Sequence, residues 1–222
     1  MKNIKYKVVT GLFIVISMIT LNTNAQNVEL GARFMPTFSS FKINSNEGGT
    51  LKGEFTAGYG FSGFIGINFT EHVGIQGEVM YNKLSQKYSE ADNEGTINLE
   101  YINIPLLLSL NTGKSKPVNV NFVVGPQIGF NVGAEVKSTN QPDTYQATLV
   151  VKKNDLGLAY GAGVDFGLNS AKTFRLGIGY RGVIGLINIS DDSRTSETEE
   201  YYILEKTNIK TYAIYAGISF LF

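Results

Sequence analysis

The stretch Lys210 to Phe222, KTYAIYAGISFLF, sets Tyr212, Ile214, Ala216, Ile218, Phe220 and Phe222 on every second position. A β-strand turns successive side chains to opposite faces, and a strand crossing a bilayer must show lipid on one of them. The last segment therefore has the pattern of a membrane-spanning strand that closes on an aromatic residue. The same pattern recurs seven more times upstream.

Val118, Val120, Phe122, Val124, Pro126, Ile128, Phe130 and Val132 share one face of the cleanest segment, opposite Asn119, Asn121, Gly125, Gln127, Gly129, Asn131 and Gly133. Leu156, Leu158, Tyr160, Ala162, Val164, Phe166 and Leu168 alternate with Asp155, Gly157, Ala159, Gly161, Gly163, Asp165 and Gly167. Further segments begin near Val28, Tyr59, Val73, Ile102 and Phe174, with Phe64, Met80, Leu107 and Val183 as large apolar residues on the polar face. Each segment has roughly the 9–11 residues that a tilted transmembrane strand needs. The reading predicts an all-β fold, an eight-stranded antiparallel up-and-down transmembrane barrel.

Ahead of these strands, Lys2, Lys5 and Lys7 precede an apolar run from Val8 to Leu21 and the small-residue stretch Thr23-Asn24-Ala25. That order is the order of a secretory signal peptide. The domain expectation is a signal peptide over 1–25 and an outer-membrane barrel over 26–222. Cleavage after Ala25 leaves 16 basic against 19 acidic residues, a weakly acidic chain that offers nucleic acid no basic patch. The sequence has no Cys, so disulfides and thiolate metal sites are excluded.

Loop lengths give an independent test. The links at Thr70-Glu71-His72, Asn111 to Pro117 and Asn169 to Thr173 are short, whereas those near 39–55, 86–97, 135–154 and 189–208 are long. Short periplasmic turns and longer outer loops alternate in this way in outer-membrane barrels. Aromatic residues fall into two groups as well: Tyr59, Tyr81, Tyr101 and Tyr212 toward the long loops, and Phe69, Phe166, Phe174, Phe220 and Phe222 toward the short turns. Interfacial rings predict two girdles. A soluble lipocalin-like barrel is the competing architecture; it turns the apolar face inward around a ligand and leaves a weak outer surface of Gly, Asn and Ser.

The segments Tyr101-Ile102-Asn103-Ile104-Pro105-Leu106-Leu107, Val124-Gly125-Pro126-Gln127-Ile128-Gly129, Gly157-Leu158-Ala159-Tyr160-Gly161-Ala162-Gly163-Val164 and Gly185-Leu186-Ile187-Asn188-Ile189, with the leader ending at Ala25-Gln26, resemble the PorT-like outer-membrane β-barrel family of Bacteroidetes. The resemblance implies a location in the outer membrane of a Gram-negative bacterium. It also implies an accessory role in the cell envelope, since the family's namesake is linked to export through a dedicated secretion machinery. These are strand motifs without chemistry, so no functional residue follows from them.

Catalytic residues are expected to be absent. His72 is the one His and sits in the shortest turn, away from the outer rim where a base would meet a substrate. Gly58, Gly60 and Gly63, and again Gly177, Gly179 and Gly182, spell a dinucleotide fingerprint, but each continues as strand where the fingerprint needs a helix N-terminus. No cofactor and no metal site is expected.

Two charge groups stand out. Arg33, Glu78 and Arg181 lie on inward faces at similar heights, and the expectation is a lumenal salt-bridge network of structural character. Asp191, Asp192, Glu197, Glu199 and Glu200 make the last long loop a candidate external acidic loop. Residues Ala147 to Val151 are expected to extend neighbouring barrel strands above the membrane and to offer an edge for β-augmentation. The expected partners are outer-membrane lipid, the barrel-assembly machinery during insertion, and envelope or secretion proteins. The functional expectation is a non-enzymatic structural or accessory component of the envelope, with a small passive pore and the soluble ligand-binding barrel as alternatives.

Overall fold

In a computed structural model of the chain, the described residues are 28–40, 43–45, 50–51, 56–90, 93–138, 148–150, 154–187, 201–204 and 210–222. The expected signal peptide, and the acidic cluster at Asp191, Asp192, Glu197, Glu199 and Glu200, lie outside them. Twelve strands are described: β1 (Val28–Ser40), β2 (Ile43–Ser45), β3 (Thr50–Leu51), β4 (Thr56–Asn68), β5 (Val73–Glu90), β6 (Asn93–Asn111), β7 (Val118–Ser138), β8 (Thr148–Val150), β9 (Asn154–Gly167), β10 (Phe174–Gly185), β11 (Tyr201–Leu204) and β12 (Lys210–Leu221).

Eight of them close into a barrel in the order β1, β12, β10, β9, β7, β6, β5, β4. Every barrel pair is antiparallel, including the seam where Glu29 faces Leu221 and Phe34 faces Ala216. Closure satisfies all edge hydrogen bonds, the condition for placing strands in hydrocarbon. Both ends of the barrel sequence meet at the short-turn side, where Val28 and Phe222 exchange backbone hydrogen bonds of 3.2 and 2.8 Å.

The two faces of the wall invert the usual arrangement of a soluble protein. Outward Ile214 is 61 % exposed and Val79 59 %, while inward Glu78 is 2 % and Arg175 0 % exposed. Polar groups inside and apolar groups outside exclude the soluble lipocalin-like alternative. Phe64, Met80, Leu107 and Val183 are buried in the lumen. Glycine makes room for such side chains: the Phe64 ring lies over the Cα of Gly31, where any Cβ would collide with it.

The wall is not of even height. Strands β5, β6 and β7 run for 18, 19 and 21 residues, whereas β10 and β12 have 12 each. The expected loop over 86–97 is thus mostly strand, with the β5–β6 pairing reaching Glu90 opposite Asn93. A register shift at Glu100/Tyr101 bulges the β6–β7 pair, and beside it Lys83 and Glu100 form an outward ion pair of 3.2 Å. Lipid-facing apolar residues give way to charge at this level, which marks the outer edge of the hydrocarbon belt. Tyr59 faces outward near this edge, but Tyr101 is 2 % exposed and points into the lumen. Tyr101 is therefore removed from the expected girdle; the alternation through Asn103 and Ser109 carries it inward.

Residues 148–150 also depart from expectation. They do not lengthen a barrel hairpin; β8 pairs in parallel with β11 in a separate four-stranded sheet of order β3, β2, β11, β8. Three long connections are tied together by this sheet on the outer side.

Candidate functional site

Inward side chains from all eight strands fill the lumen in tiers. The lowest tier depends on a turn. Gly113, at φ 147°, takes a backbone conformation that L side chains rarely adopt, and the turn between β6 and β7 carries Lys114 into the barrel mouth. Lys114 Nζ lies 2.6 Å from Glu29 Oε2 and 3.9 Å from Asp165 Oδ2. Asp165 Oδ2 also accepts hydrogen bonds from the Asn119 and Asn121 amides, at 3.0 and 2.9 Å.

Arg175 completes the periplasmic closure. Its guanidinium donates to the backbone carbonyls of Lys114 at 2.9 Å, Lys116 at 3.1 Å, Lys172 at 3.3 Å and Asp165 at 3.2 Å. A planar fork with five donors suits this work, because it bonds several carbonyls in one place. Two short turns are thereby tied across the barrel opening.

In the middle tier Glu78 joins two arginines. Its Oε1 is 3.1 Å from Arg33 Nη1 and its Oε2 is 2.9 Å from Arg181 Nη1. Ser62 donates to Glu78 Oε1 at 2.8 Å, and Gln76 connects to both Arg33 and Glu78. Arg33 is further held between aromatic faces, 3.8 Å from the Phe64 ring centre and 5.0 Å from that of Tyr215. Cation–π attraction of this sort is stronger where water is absent. The arrangement brings together strands β1, β5 and β10, and its Glu78–Arg181 bond alone spans 103 residues of chain.

Above this tier Asn82, Leu84, Tyr101, Asn103, Gln127, Asp155, Val183 and Thr211 surround a small cavity of about 20 Å³. Ile97 and Leu99 are buried beyond it toward the outer side. The lumen therefore holds ion pairs, amides and apolar side chains in succession.

The one His of the sequence takes no part in this arrangement. His72 is exposed in its turn; its Nδ1 is 3.1 Å from the carbonyl oxygen of Asn111, and Thr70 Oγ1 accepts the backbone N–H groups of His72 and Val73. Among the described residues no three of His, Cys, Asp and Glu group as a metal site. Gly58, Gly60 and Gly63 lie within β4, and Gly177, Gly179 and Gly182 within β10, and among the described residues neither set leads into a helix whose N-terminus could meet a phosphate.

Sequence reading singled out Arg33, Glu78 and Arg181 but not Glu29, Lys114, Asp165 or Arg175. Inward alternation flags Glu29, Asp165 and Arg175 as lumenal. No periodicity flags Lys114, because a turn residue has no strand phase.

The sequence matches a family model described as an outer membrane protein beta-barrel domain over residues 24–191. Among solved structures, Neisserial surface protein A is similar at 14 % identity and a TM-score of 0.50, the match covering 90 % of this chain and 100 % of that one. The outer membrane protein OprG from Pseudomonas aeruginosa is similar at 12 % identity and a TM-score of 0.58, covering 90 % and 97 %. At such identities the likeness is one of fold. No curated protein matches the sequence.

Proposed function

The chain belongs to the outer membrane β-barrel domain family, and from that premise we propose that it is a non-enzymatic, lumen-filled barrel serving as a structural or accessory component of the envelope. Its place is the outer membrane of a Gram-negative bacterium. The observation that carries the reading is the periplasmic closure: Lys114 enters the barrel and Arg175 ties the 112–117 and 168–173 turns together beneath it. An eight-stranded barrel has room for little beyond its own side chains, and here charged pairs occupy that room. A passive pore is disfavoured by the same observation. What remains available for work is the outer surface, where the tall β5–β7 wall and the small sheet of β3, β2, β11 and β8 stand above the lipid.

The resemblance to PorT-like barrels of Bacteroidetes supports an accessory part in protein secretion, with residues 1–25 as a signal peptide that brings the chain to the membrane. Two experiments test the reading. Purified barrel in a planar bilayer is expected to give no discrete conductance, and steady single-channel steps from the wild type would replace the closed barrel by a pore. Cross-linking in native outer membranes is expected to recover secretion or envelope proteins with the barrel; recovery as an isolated monomer would remove the accessory role.

A further inference from the structure

A groove of about 340 Å³ runs over the lipid-facing side of β7, β9 and β10, and its walls include Leu110, Phe122, Val124, Tyr160, Ala162 and Tyr180. That volume falls within the roughly 300–1,000 Å³ of small-ligand sites. Strand register explains the shape. Ala162 lies opposite Phe122 on one side and Tyr180 on the other, so a single methyl group separates two large side chains. Phe122 is 56 % exposed, whereas Ala162 and Val164 on β9 are half-buried. The floor of the groove is therefore β9, recessed between its neighbours.

Tyrosines close its outer end. Tyr160 leans across onto β10, where its ring covers Gly182 and would collide with any Cβ there. Its ring centre is 6.3 Å from that of Tyr180, which in turn stacks on Tyr212 at 6.4 Å. The Tyr160 and Tyr180 hydroxyls hydrogen-bond to each other; one oxygen accepts, and its own O–H is left to donate elsewhere. These hydroxyls lie below the headgroup level where a girdle tyrosine sits. Leu156 and Leu158 continue the outward face of β9 beyond Tyr160, and Ile184 and Leu186 continue that of β10 beyond Tyr180, each 38–56 % exposed.

A phenol donor inside hydrocarbon meets no water, and leaving it unpaired is costly. A plain saturated chain would fill the groove but offer that O–H no acceptor. A chain with an oxygen part-way along it satisfies both the apolar floor and the phenols. We propose that the groove binds one acyl chain of the membrane that carries an oxygen function, its methylenes along Phe122, Val124 and Ala162 and its oxygen at Tyr160 and Tyr180. This site rests on the barrel's place in the membrane. It does not depend on the accessory role or on the identity of any protein partner.

Stearic acid spin-labelled at mid-chain is the probe, because its nitroxide oxygen is an acceptor carried on a saturated chain. With the barrel in phosphatidylcholine vesicles, electron spin resonance is expected to show a slowly exchanging chain on the wild type in addition to ordinary boundary lipid. Ala162→Phe fills the floor of the groove and should remove that component, whereas Ala216→Phe, outward on β12 and clear of the groove, should leave it. Tyr160→Phe combined with Tyr180→Phe keeps both rings and should weaken binding about fivefold, the scale of one hydrogen bond; it keeps the test open should Ala162→Phe fail to fold. A spectrum of boundary lipid only overturns the proposal. So does a slow component that survives Ala162→Phe or that is unchanged by loss of both hydroxyls.

Discussion

Toward the periplasm the lumenal charges sit in bonded groups: Glu29 and Asp165 around Lys114, Arg175 among four carbonyls, Glu78 between Arg33 and Arg181. Higher on the same strands, Asp155 faces the cavity with no ionic partner among the described residues, beside an amide oxygen equally uncommitted. In the lower half each of these charges has a bonded polar partner, although the Nε atoms of Arg175 and Arg181 have none; in the upper half four orphaned oxygens gather at one cavity. The contrast separates a part whose ion pairs hold the barrel together from a part where polar oxygens stay unmatched.

The strongest way to break the lower half is Glu78→Ala. Two buried guanidinium groups then lose their shared carboxylate, and removing one partner of a buried pair costs about 3–5 kcal/mol. Urea titration of the barrel in detergent or vesicles reads this directly, and an unchanged midpoint would remove the middle tier from the account of stability.

Next in size is Val124→Lys on the lipid face. Val124 is 42 % exposed and lies about midway between the short turn and the Lys83–Glu100 edge, where a Lys costs about 2–4 kcal/mol; Val132→Lys, near that edge, should cost about 0–1 kcal/mol. Equal costs at the two positions would mean that the hydrocarbon boundary is misplaced.

Lys114→Met should lower stability by about 2 kcal/mol, the scale of a buried charge-assisted hydrogen bond, because Glu29 loses its 2.6 Å partner. The same variant tests closure: transient conductance steps in a bilayer, absent from the wild type, would identify the turn as the seal. The smallest effect is expected from Lys83→Met. Its ion pair with Glu100 is solvent-exposed and screened, so the unfolding midpoint should stay within error; a clear fall would place that level of the wall inside the lipid.

Much of the barrel was legible because its signal is local. Period-two alternation in the segments beginning at Tyr59, Val118, Leu156 and Phe174 follows from one face meeting lipid and the other the lumen, and it needs no knowledge of partners. Loop structure was less legible. Residues 86–90 and 93–97 are polar strand, because above the lipid an outward Lys87 or Thr96 is as acceptable as a Val. Residues 148–150 pair with β11 from a connection some fifty residues away, which alternation within β8 could not indicate.

For the lumen, inward alternation places Arg33, Glu78 and Arg181 inside, but contact among them depends on the stagger of β1, β5 and β10. The amide and carboxylate oxygens of Gln127 and Asp155 are unremarkable as sequence. Gly129 and the bonded Asn103 bring them to one cavity, where Gln127 Oε1 and Asp155 Oδ1 find no hydrogen-bond donor.

By itself the sequence determined that this chain makes membrane-crossing strands and which face of each meets lipid, since the bilayer imposes a side-by-side chemical difference that repeats every two residues. Tertiary structure decided which inward groups meet, that the Lys114 turn folds into the barrel, and where acceptors stay unmatched. Those outcomes depend on inter-strand stagger and on backbone turns such as Gly113, and both are fixed only when the last strand closes against the first.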